Sequence, residues 1–333
     1  MSNLQVRLAA RPVGLPDSST WQIEESPAPE PGDGELRVAI RYISLDPAMR
    51  GWMNDARSYA PPVQIGAVMR AFAVGQVTAS RHPVFQEGDL VSGMFGVQEH
   101  AISDGRGVAK VDPGIAPLPT WLGVLGGTGL TAYFGLLDVG KVTEGDRVLI
   151  SGAAGAVGSA AGQIAKLKGC HVVGIAGGKD KCDWITRDLG FDAAIDYKSE
   201  NVGERVHQVM PDGIDVYFDN VGGPTLDTAL AFLRLHARVI ICGAISQYNA
   251  TGQPYGPTRY LSLLINRASM TGMLVSDYAA RFPAAIAELA GWLAEGKLIA
   301  REQIVKGGVR QFPEALLMLF AGANTGKLVL EVS

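Results

Sequence analysis

Up to about residue 122 apolar and polar positions alternate in short runs, ELRVAIRYISLD, AFAVGQVTAS and DLVSGMFGVQEHAI, each broken by Pro or Gly. A period of two with frequent turn residues predicts half-buried strands and few helices, hence a mainly antiparallel, barrel-like domain. From Leu125 the rhythm lengthens. The strand-like runs RVLISG, HVVGIAGG, AAIDY, IDVYFDNVGG, ARVIICGA and ASMTGMLV are separated by helical patterns. These helices are expected to end at Leu167, to span 179–189 and 202–209, to end at Leu233, to lie near Leu261 and to span 279–293. Six strands alternating with helices predict an α/β domain, a doubly wound parallel sheet covered on both faces. The tail QIVKGGVRQFPEALLMLFAGANTGKLVLEV holds one helix and a closing strand after the sixth strand is used. It is expected to return to the first domain, which gives one domain of 1–122 completed by 300–333 and another of 123–299.

The run SGAAGAVGSAAGQIAK follows the first strand of the second domain. Gly152, Gly155 and Gly158 lack a Cβ, so the backbone can turn sharply and a ligand can approach its N–H groups. A good helix former follows, so the segment reads strand, tight turn, helix N-terminus, where exposed N–H groups and the helix dipole favour an anion. The six residues Ala153, Ala154, Gly155, Ala156, Val157 and Gly158 approximate the dinucleotide fingerprint with its first glycine missing. Taken alone, such a run is equally a small-residue helix packed closely on a sheet. Its place after the first strand of a doubly wound sheet favours the pyrophosphate turn. An NAD site needs an acid at the tip of the next strand; HVVGIA instead ends in Gly177, Gly178, Lys179, Asp180 and Lys181. Two lysines suit a ribose 2′-phosphate, and NADP(H) is the expected cofactor.

Composition narrows the classes. Lys and Arg number 29 against 33 Asp and Glu, a formal charge of −4 in 333 residues. With no block of one sign, nucleic acid and charged membrane surfaces are not expected partners. The longest apolar runs are too short to span a bilayer, and the first thirty residues lack the apolar core of a signal peptide. Three unpatterned cysteines, Cys170, Cys182 and Cys242, suit a reducing compartment, so the expected location is the cytoplasm. The first domain holds no cysteine, and its His82 and His100 read as solvated turn residues, so no metal site is expected. Asp46, Asp215 and Asp219 read as ordinary turn positions.

Together, LDPAMRGWM, LGGTGLTAYFGL, SGAAGAVGSAAGQIAK, WITRDLGFDAAIDYK, YFDNVGG, ICGAISQYN, GMLVSDY and GANTGKLVLEV resemble the medium-chain dehydrogenase/reductase superfamily. Within it they resemble the zinc-independent branch of prostaglandin reductase (leukotriene B4 dehydrogenase), alkenal double-bond reductase and curcumin reductase. The resemblance covers essentially the whole chain. It implies a GroES-like catalytic domain, a Rossmann domain and a homodimer joined through the nucleotide-binding domains. It assigns Lys181 to the 2′-phosphate with Tyr197 as companion, and Gly178 stands where the family often has serine. Thr131, Asn220 and Asn324 fall along the pyrophosphate and nicotinamide, with the backbone of Cys242, Gly243 and Ile245 and of Leu274 and Val275 around the ring. Turn roles remain open for Asn220 and Asn324.

The resemblance also implies the chemistry: NADPH-dependent saturation of the activated C=C bond of an α,β-unsaturated aldehyde or ketone. That reaction needs a donor facing the carbonyl oxygen where charge develops. A tyrosine hydroxyl suits, being protonated at neutral pH. Tyr248 of ISQYN matches the family tyrosine, Tyr59 of ARSYAPP is a second candidate for substrate contact, and Tyr278 of VSDY is a third. A quinone reductase on the same scaffold, or a non-catalytic NADPH-binding protein, are the rival expectations.

Overall fold

The computed structural model describes residues 2–332. The chain divides into two compact units, one formed by the residues up to Leu122 together with those from Glu302 on, the other by Gly123–Arg301. The first unit opens with β1 (Ser2–Leu8), β2 (Trp21–Pro27), β3 (Leu36–Ser44), α1 (Ala48–Trp52), β4 (Ala73–Ser80), β5 (Leu90–Gly93), β6 (His100–Ser103) and β7 (Ala109–Lys110). The second runs α2 (Gly127–Phe134), β8 (Arg147–Ser151), α3 (Ala156–Leu167), β9 (His171–Ala176), α4 (Lys179–Arg187), β10 (Ala193–Asp196) and α5 (Val202–Val209). It continues through β11 (Ile214–Asp219), α6 (Gly223–Leu230), β12 (Leu233–Ile241), α7 (Leu261–Ile265), β13 (Ser269–Gly272) and α8 (Phe282–Ala294). The chain then adds β14 (Glu302–Val305), α9 (Phe312–Phe320) and β15 (Lys327–Glu331) to the first unit.

In the first unit β14, β15, β3, β4, β5 and β7 lie side by side, with β6 also paired to β3, while β1 and β2 form a separate antiparallel ribbon. All pairs of the larger sheet are antiparallel except β14 with β15. Helix α9 closes one side by burying Phe312, Ala315, Leu316 and Leu319, the spacing of an apolar helical stripe. Asp46 is no plain turn residue: the nearly buried Lys327 ammonium donates to it at 2.7 Å and to the Leu45 carbonyl at 2.9 Å. His100 likewise departs from the solvated reading. It stands on β6 with its backbone N–H donating to Asn3 Oδ1 at 2.8 Å, and burial pulls its pKa down. His82 packs its ring against Phe85, with centroids 5.0 Å apart.

In the second unit the strands lie in the order β10, β9, β8, β11, β12, β13, all parallel. Strands β8, β9 and β11 are buried almost throughout, as expected of a sheet covered on both faces. The chain starts at β8, winds outward to β10, and returns to β11 on the other side of β8. The carboxyl ends of β8 and β11 therefore meet at a topological switch point, where doubly wound sheets bind ligands.

Close packing sets the glycines here. A Cβ on Gly162 of α3 would lie 1.8 Å from the Phe191 ring, and one on Gly174 of β9 would lie 2.7 Å from the Ala153 Cβ. Gly174 thus supplies the room that a glycine at 153 would otherwise have given.

Two boundaries differ from expectation by three residues, while α4 ends two residues early at Arg187. The helix expected to reach Leu233 stops at Leu230, because Leu233 already pairs with Ile214 and β12 reaches its later register through His236 at φ +63. The helix expected from 279 begins at Phe282, ahead of Pro283 in the first turn, where a missing N–H costs nothing. Residues Val275–Arg281 before it form a 3-10 stretch. Among the described residues no helix is long and apolar enough to cross a membrane, and no group of three or more His, Cys, Asp or Glu is placed to hold a metal ion.

Candidate active site

The glycine-alanine segment forms the turn between β8 and α3. Gly152 takes φ +59, and the Gly155 N–H donates back to its carbonyl at 2.9 Å. A Cβ on Gly158 would lie 2.4 Å from the Gly152 oxygen, so only glycine lets the first turn of α3 sit against the bend. Gly155 caps α3 without any side-chain bond. The N–H groups of Ala156, Val157 and Gly158, at the positive end of the helix, are thus left to an outside acceptor. Ala153, the residue in place of the first glycine, is fully buried and donates its N–H to the Ile175 carbonyl.

The chain end of β11 does more than turn. Asp219 is wholly buried, and its Oδ1 accepts from the Ser151 hydroxyl and the Tyr217 hydroxyl, each at 2.8 Å, and from the backbone N–H groups of Val221 and Gly222. Burial, then the Asp219 charge, push the Tyr217 phenol well above its ordinary pKa, so it remains a donor. Ser151 accepts in turn from the Asn220 N–H at 2.9 Å, while Asn220 Nδ2 donates to the Ser151 carbonyl at 2.7 Å. These bonds stitch β8 to β11 at the switch point. A Cβ on Gly152 would lie 3.4 Å from the Asn220 Cβ, which places Asn220 against the glycine bend.

The same aspartate fixes the loop after β12. Its main-chain carbonyl accepts from the Cys242 and Gly243 N–H groups, and the Asn220 carbonyl accepts from that of Ile245. Tyr248 follows one short 3-10 turn later. Its half-buried phenol oxygen accepts from the Ala244 N–H at 3.1 Å, and a Cβ on Gly243 would lie 3.1 Å from that oxygen. Gly152, Asn220, Cys242, Gly243, Ile245 and Tyr248 are therefore joined in one connected patch.

A second patch surrounds the end of β9. Gly178, at φ +95 and with open space about it, donates its N–H to Asp196 Oδ1 at 2.7 Å. That bond is the largest of the causes holding the Asp196 carboxyl below its usual range. The Tyr197 ring lies against Gly177, where a Cβ would come within 2.7 Å. Burial first, and then the charge of Lys198, hold the pKa of half-buried Lys181 below its ordinary value. An anion near both cations would relieve this repulsion. Lys198, unlike Lys181, is absent from the sequence-based site.

Thr131 lies on α2, its hydroxyl donating to the Gly127 carbonyl at 2.7 Å. Leu274 and Val275 follow β13. Tyr278 is taken up in packing, stacked on Phe134 at 4.6 Å between centroids. Tyr59 and Asn324 belong to the first unit: Tyr59 is 61% exposed, and Asn324 makes the turn bond expected of it, Nδ2 donating to the Gly326 carbonyl at 3.0 Å. Sequence reasoning passed over Ser151, Tyr217, Asp219 and Lys198. The only signal was the pairing of a Ser that ends one strand with an Asp-Asn that ends another.

The chain as a whole resembles known proteins. The family described as N-terminal domain of oxidoreductase matches residues 4–111, and the one described as zinc-binding dehydrogenase matches 156–291. The chain is 42% identical over 333 residues to the NADPH-dependent curcumin reductase of Escherichia coli (strain K12), covering 98% of this chain and 96% of that protein. It is 38% identical over 340 residues to the NADP(+)-dependent 2-alkenal reductase of Nicotiana tabacum, covering 100% and 98% respectively. The crystal structure of CurA in complex with NADPH from Vibrio vulnificus superimposes with a TM-score of 0.94 at 44% identity, over 99% of each chain.

The thiols make a test of the site's electrostatics. Burial pushes Cys170 and Cys182 up to about 11, and burial beside the Asp219 charge pushes Cys242 up to about 12. At pH 8 each is protonated, with about a hundredth or less of the thiolate of an ordinary cysteine. A disulfide reagent added at pH 8 should label the folded protein far more slowly than the urea-unfolded chain; equal rates would contradict the buried environments.

Proposed function

The chain belongs to the zinc-independent branch of the medium-chain dehydrogenase/reductase superfamily, whose relatives are NADP-dependent oxidoreductases, and from that premise we propose that it reduces the activated C=C bond of α,β-unsaturated aldehydes and ketones. The observation that carries the reading is the Tyr248 phenol, set by the Ala244 N–H in the loop that the Asp219 backbone ties to the switch point. NADPH, when bound, supplies the hydride that the β-carbon accepts. Its diphosphate fits the N–H groups of Ala156, Val157 and Gly158, with Gly152, Ala153, Gly155 and Asn220 shaping the bend. Its 2′-phosphate fits Lys181 and Lys198, with Gly178 and the Tyr197 ring beside them. We assign Thr131, Asn324, Leu274, Val275 and the backbone of Cys242, Gly243 and Ile245 to the remainder of the cofactor, and Tyr59 to substrate contact.

Tyr248 then donates its proton as a hydrogen bond to the carbonyl oxygen, on which negative charge grows as the β-carbon gains hydride. A phenol oxygen that already accepts an N–H bond is a stronger donor through its own proton. Solvent or the phenol protonates the α-carbon, completing the addition of one hydride and one proton. One oriented donor of this kind is worth roughly 3 kcal/mol of barrier. Tyr248→Phe should therefore lower kcat on an enal or enone about a hundredfold while leaving NADPH affinity within about twofold. Wild-type turnover in that variant would remove the role. Consumption of NADPH with a quinone and with no enal or enone would favour quinone reduction instead.

Lys181→Ala should weaken NADPH about tenfold and leave NADH nearly unchanged, since one charge-assisted phosphate bond is lost. Equal losses for both in a fluorescence titration would take Lys181 away from the 2′-phosphate.

We also assign a homodimer and, from the three free cysteines, a cytoplasmic location. Edge strand β13 is exposed along its length, and Leu261, Leu264, Ile265 and Met270 leave apolar surface beside it. An open apolar edge of this kind invites a second copy. Light scattering should give twice the chain mass of 35.1 kDa, and the double variant Leu264→Glu, Ile265→Glu should return it to one; a wild-type monomer would refute the assignment.

A further inference from the structure

Helix α6 holds a carboxylate that the chemistry above does not use. Asp227 is 5% exposed, one turn into the helix, and receives four hydrogen bonds from a single distant segment. Its Oδ2 accepts from the Tyr255 hydroxyl at 2.7 Å, the Thr258 hydroxyl at 2.7 Å and the Thr258 N–H at 3.1 Å, and its Oδ1 accepts from the Arg259 N–H at 3.1 Å. The segment 250–254 between Tyr248 and these residues is exposed, and a Cβ on its Gly252 would meet nothing within 4 Å. Left to itself it would sample many conformations.

The near end of the same segment is held by the start of the same helix. A Cβ on Gly222 would lie 2.9 Å from Ala244, and one on Gly223 would lie 2.7 Å from the Gln247 side chain. The Ser246 hydroxyl donates to the Val221 carbonyl at 2.7 Å, and Gln247 Oε1 accepts the Tyr255 N–H at 2.8 Å, closing the loop upon itself. The β11 to α6 connection therefore grips the segment before Tyr248, and Asp227 within α6 grips it after.

We infer that Asp227 is a positioning residue for the acceptor: from α6 it anchors the far end of the 246–259 segment, so that the stretch carrying Tyr248 keeps one conformation and the acceptor meets a preformed surface. This rests on the proposed role of Tyr248 toward the acceptor carbonyl. Charge strengthens the anchor. Burial opposes ionisation of Asp227, but the Thr258 and Tyr255 hydroxyls and the Arg259 and Thr258 N–H groups outweigh it and hold the pKa at about 2. The carboxylate is thus ionised across the neutral range, and its bonds are of the stronger, charge-assisted kind. The bond to Asp227 leads the causes that raise the Tyr255 phenol, which keeps its proton to donate.

The test compares the wild-type enzyme with Asp227→Asn and Tyr255→Phe. Asparagine keeps the shape but loses one acceptor oxygen and the charge. Hydrogen exchange at residues 250–259 should speed up about tenfold in Asp227→Asn and by less in Tyr255→Phe. The KM for 2-hexenal should rise about tenfold, with NADPH affinity and melting temperature nearly unchanged. Unchanged exchange in both variants overturns the anchor. Faster exchange with an unchanged acceptor KM overturns its bearing on the acceptor, and a parallel loss of NADPH affinity overturns it in favour of a purely structural role for α6. Should Asp227→Asn fail to fold, Tyr255→Phe and Thr258→Val carry the same readings. If the wild type reduces a quinone and no enal, the enone reading falls on its own, and the exchange data with the quinone KM still decide for or against the anchor.

Discussion

The site depends on one buried carboxylate. Asp219 sits where the strand order reverses, and a buried carboxyl group there is costly unless its polar atoms are partnered. The chain partners them with Ser151, Tyr217 and two backbone N–H groups. Each partner is thereby fixed relative to the others: the end of β8, the body of β11 and the start of α6. Because the main-chain carbonyl of the same residue takes Cys242 and Gly243, the end of β12 is fixed as well. A shared aspartate thus sets the glycine turn after β8 and the loop after β12 at a fixed separation.

Small residues and buried acids divide the work. Glycines at 152, 158, 162 and 174 allow backbone to approach backbone or ring, which brings the elements close but does not hold them in register. Asp219 and Asp227 do hold register, one through the strand ends and the other through α6. Asp196 does the same on a smaller scale, joining the Gly178 and Lys198 N–H groups beyond the ends of β9 and β10. From the rigid switch point outward the restraint thins. The strand ends are held by many bonds, the turns after β9 and β10 by three on Asp196, and the exposed 250–254 stretch by its two ends.

The alternation of strands and helices and the glycine turn were legible because both are local. A period of two or of 3.6, and a strand followed by G-x-x-G and a helix former, leave their mark within a dozen residues. The boundary at Leu233 was not, because its pairing with Ile214 depends on the left-handed turn at His236, which the local pattern LRLHARV does not announce. Asp219 and Asp46 were read as turn residues for a related reason. An aspartate at a strand end looks the same whether water or a folded-back loop meets it, and only the tertiary path of Ser151 or Lys327 decides. Asn324 shows the converse: its local reading as a turn residue is what the structure contains.

The environment of Cys242 bears on the proposed chemistry in a way that its backbone role conceals. An α,β-unsaturated carbonyl is an electrophile that thiolates attack at the same β-carbon that hydride must reach. On the proposed reading Cys242 lies in the loop beside that chemistry, and an ordinarily acidic thiol there would be a hazard. Burial and the neighbouring Asp219 charge instead push its thiol up to about 12, so that at neutral pH almost none is thiolate. The nucleophile is the thiolate, and alkylation slows in proportion to its scarcity. The aspartate that fixes the geometry of the loop thus also quiets its one reactive atom, and a neutral residue at 219 with the same shape would loosen both together.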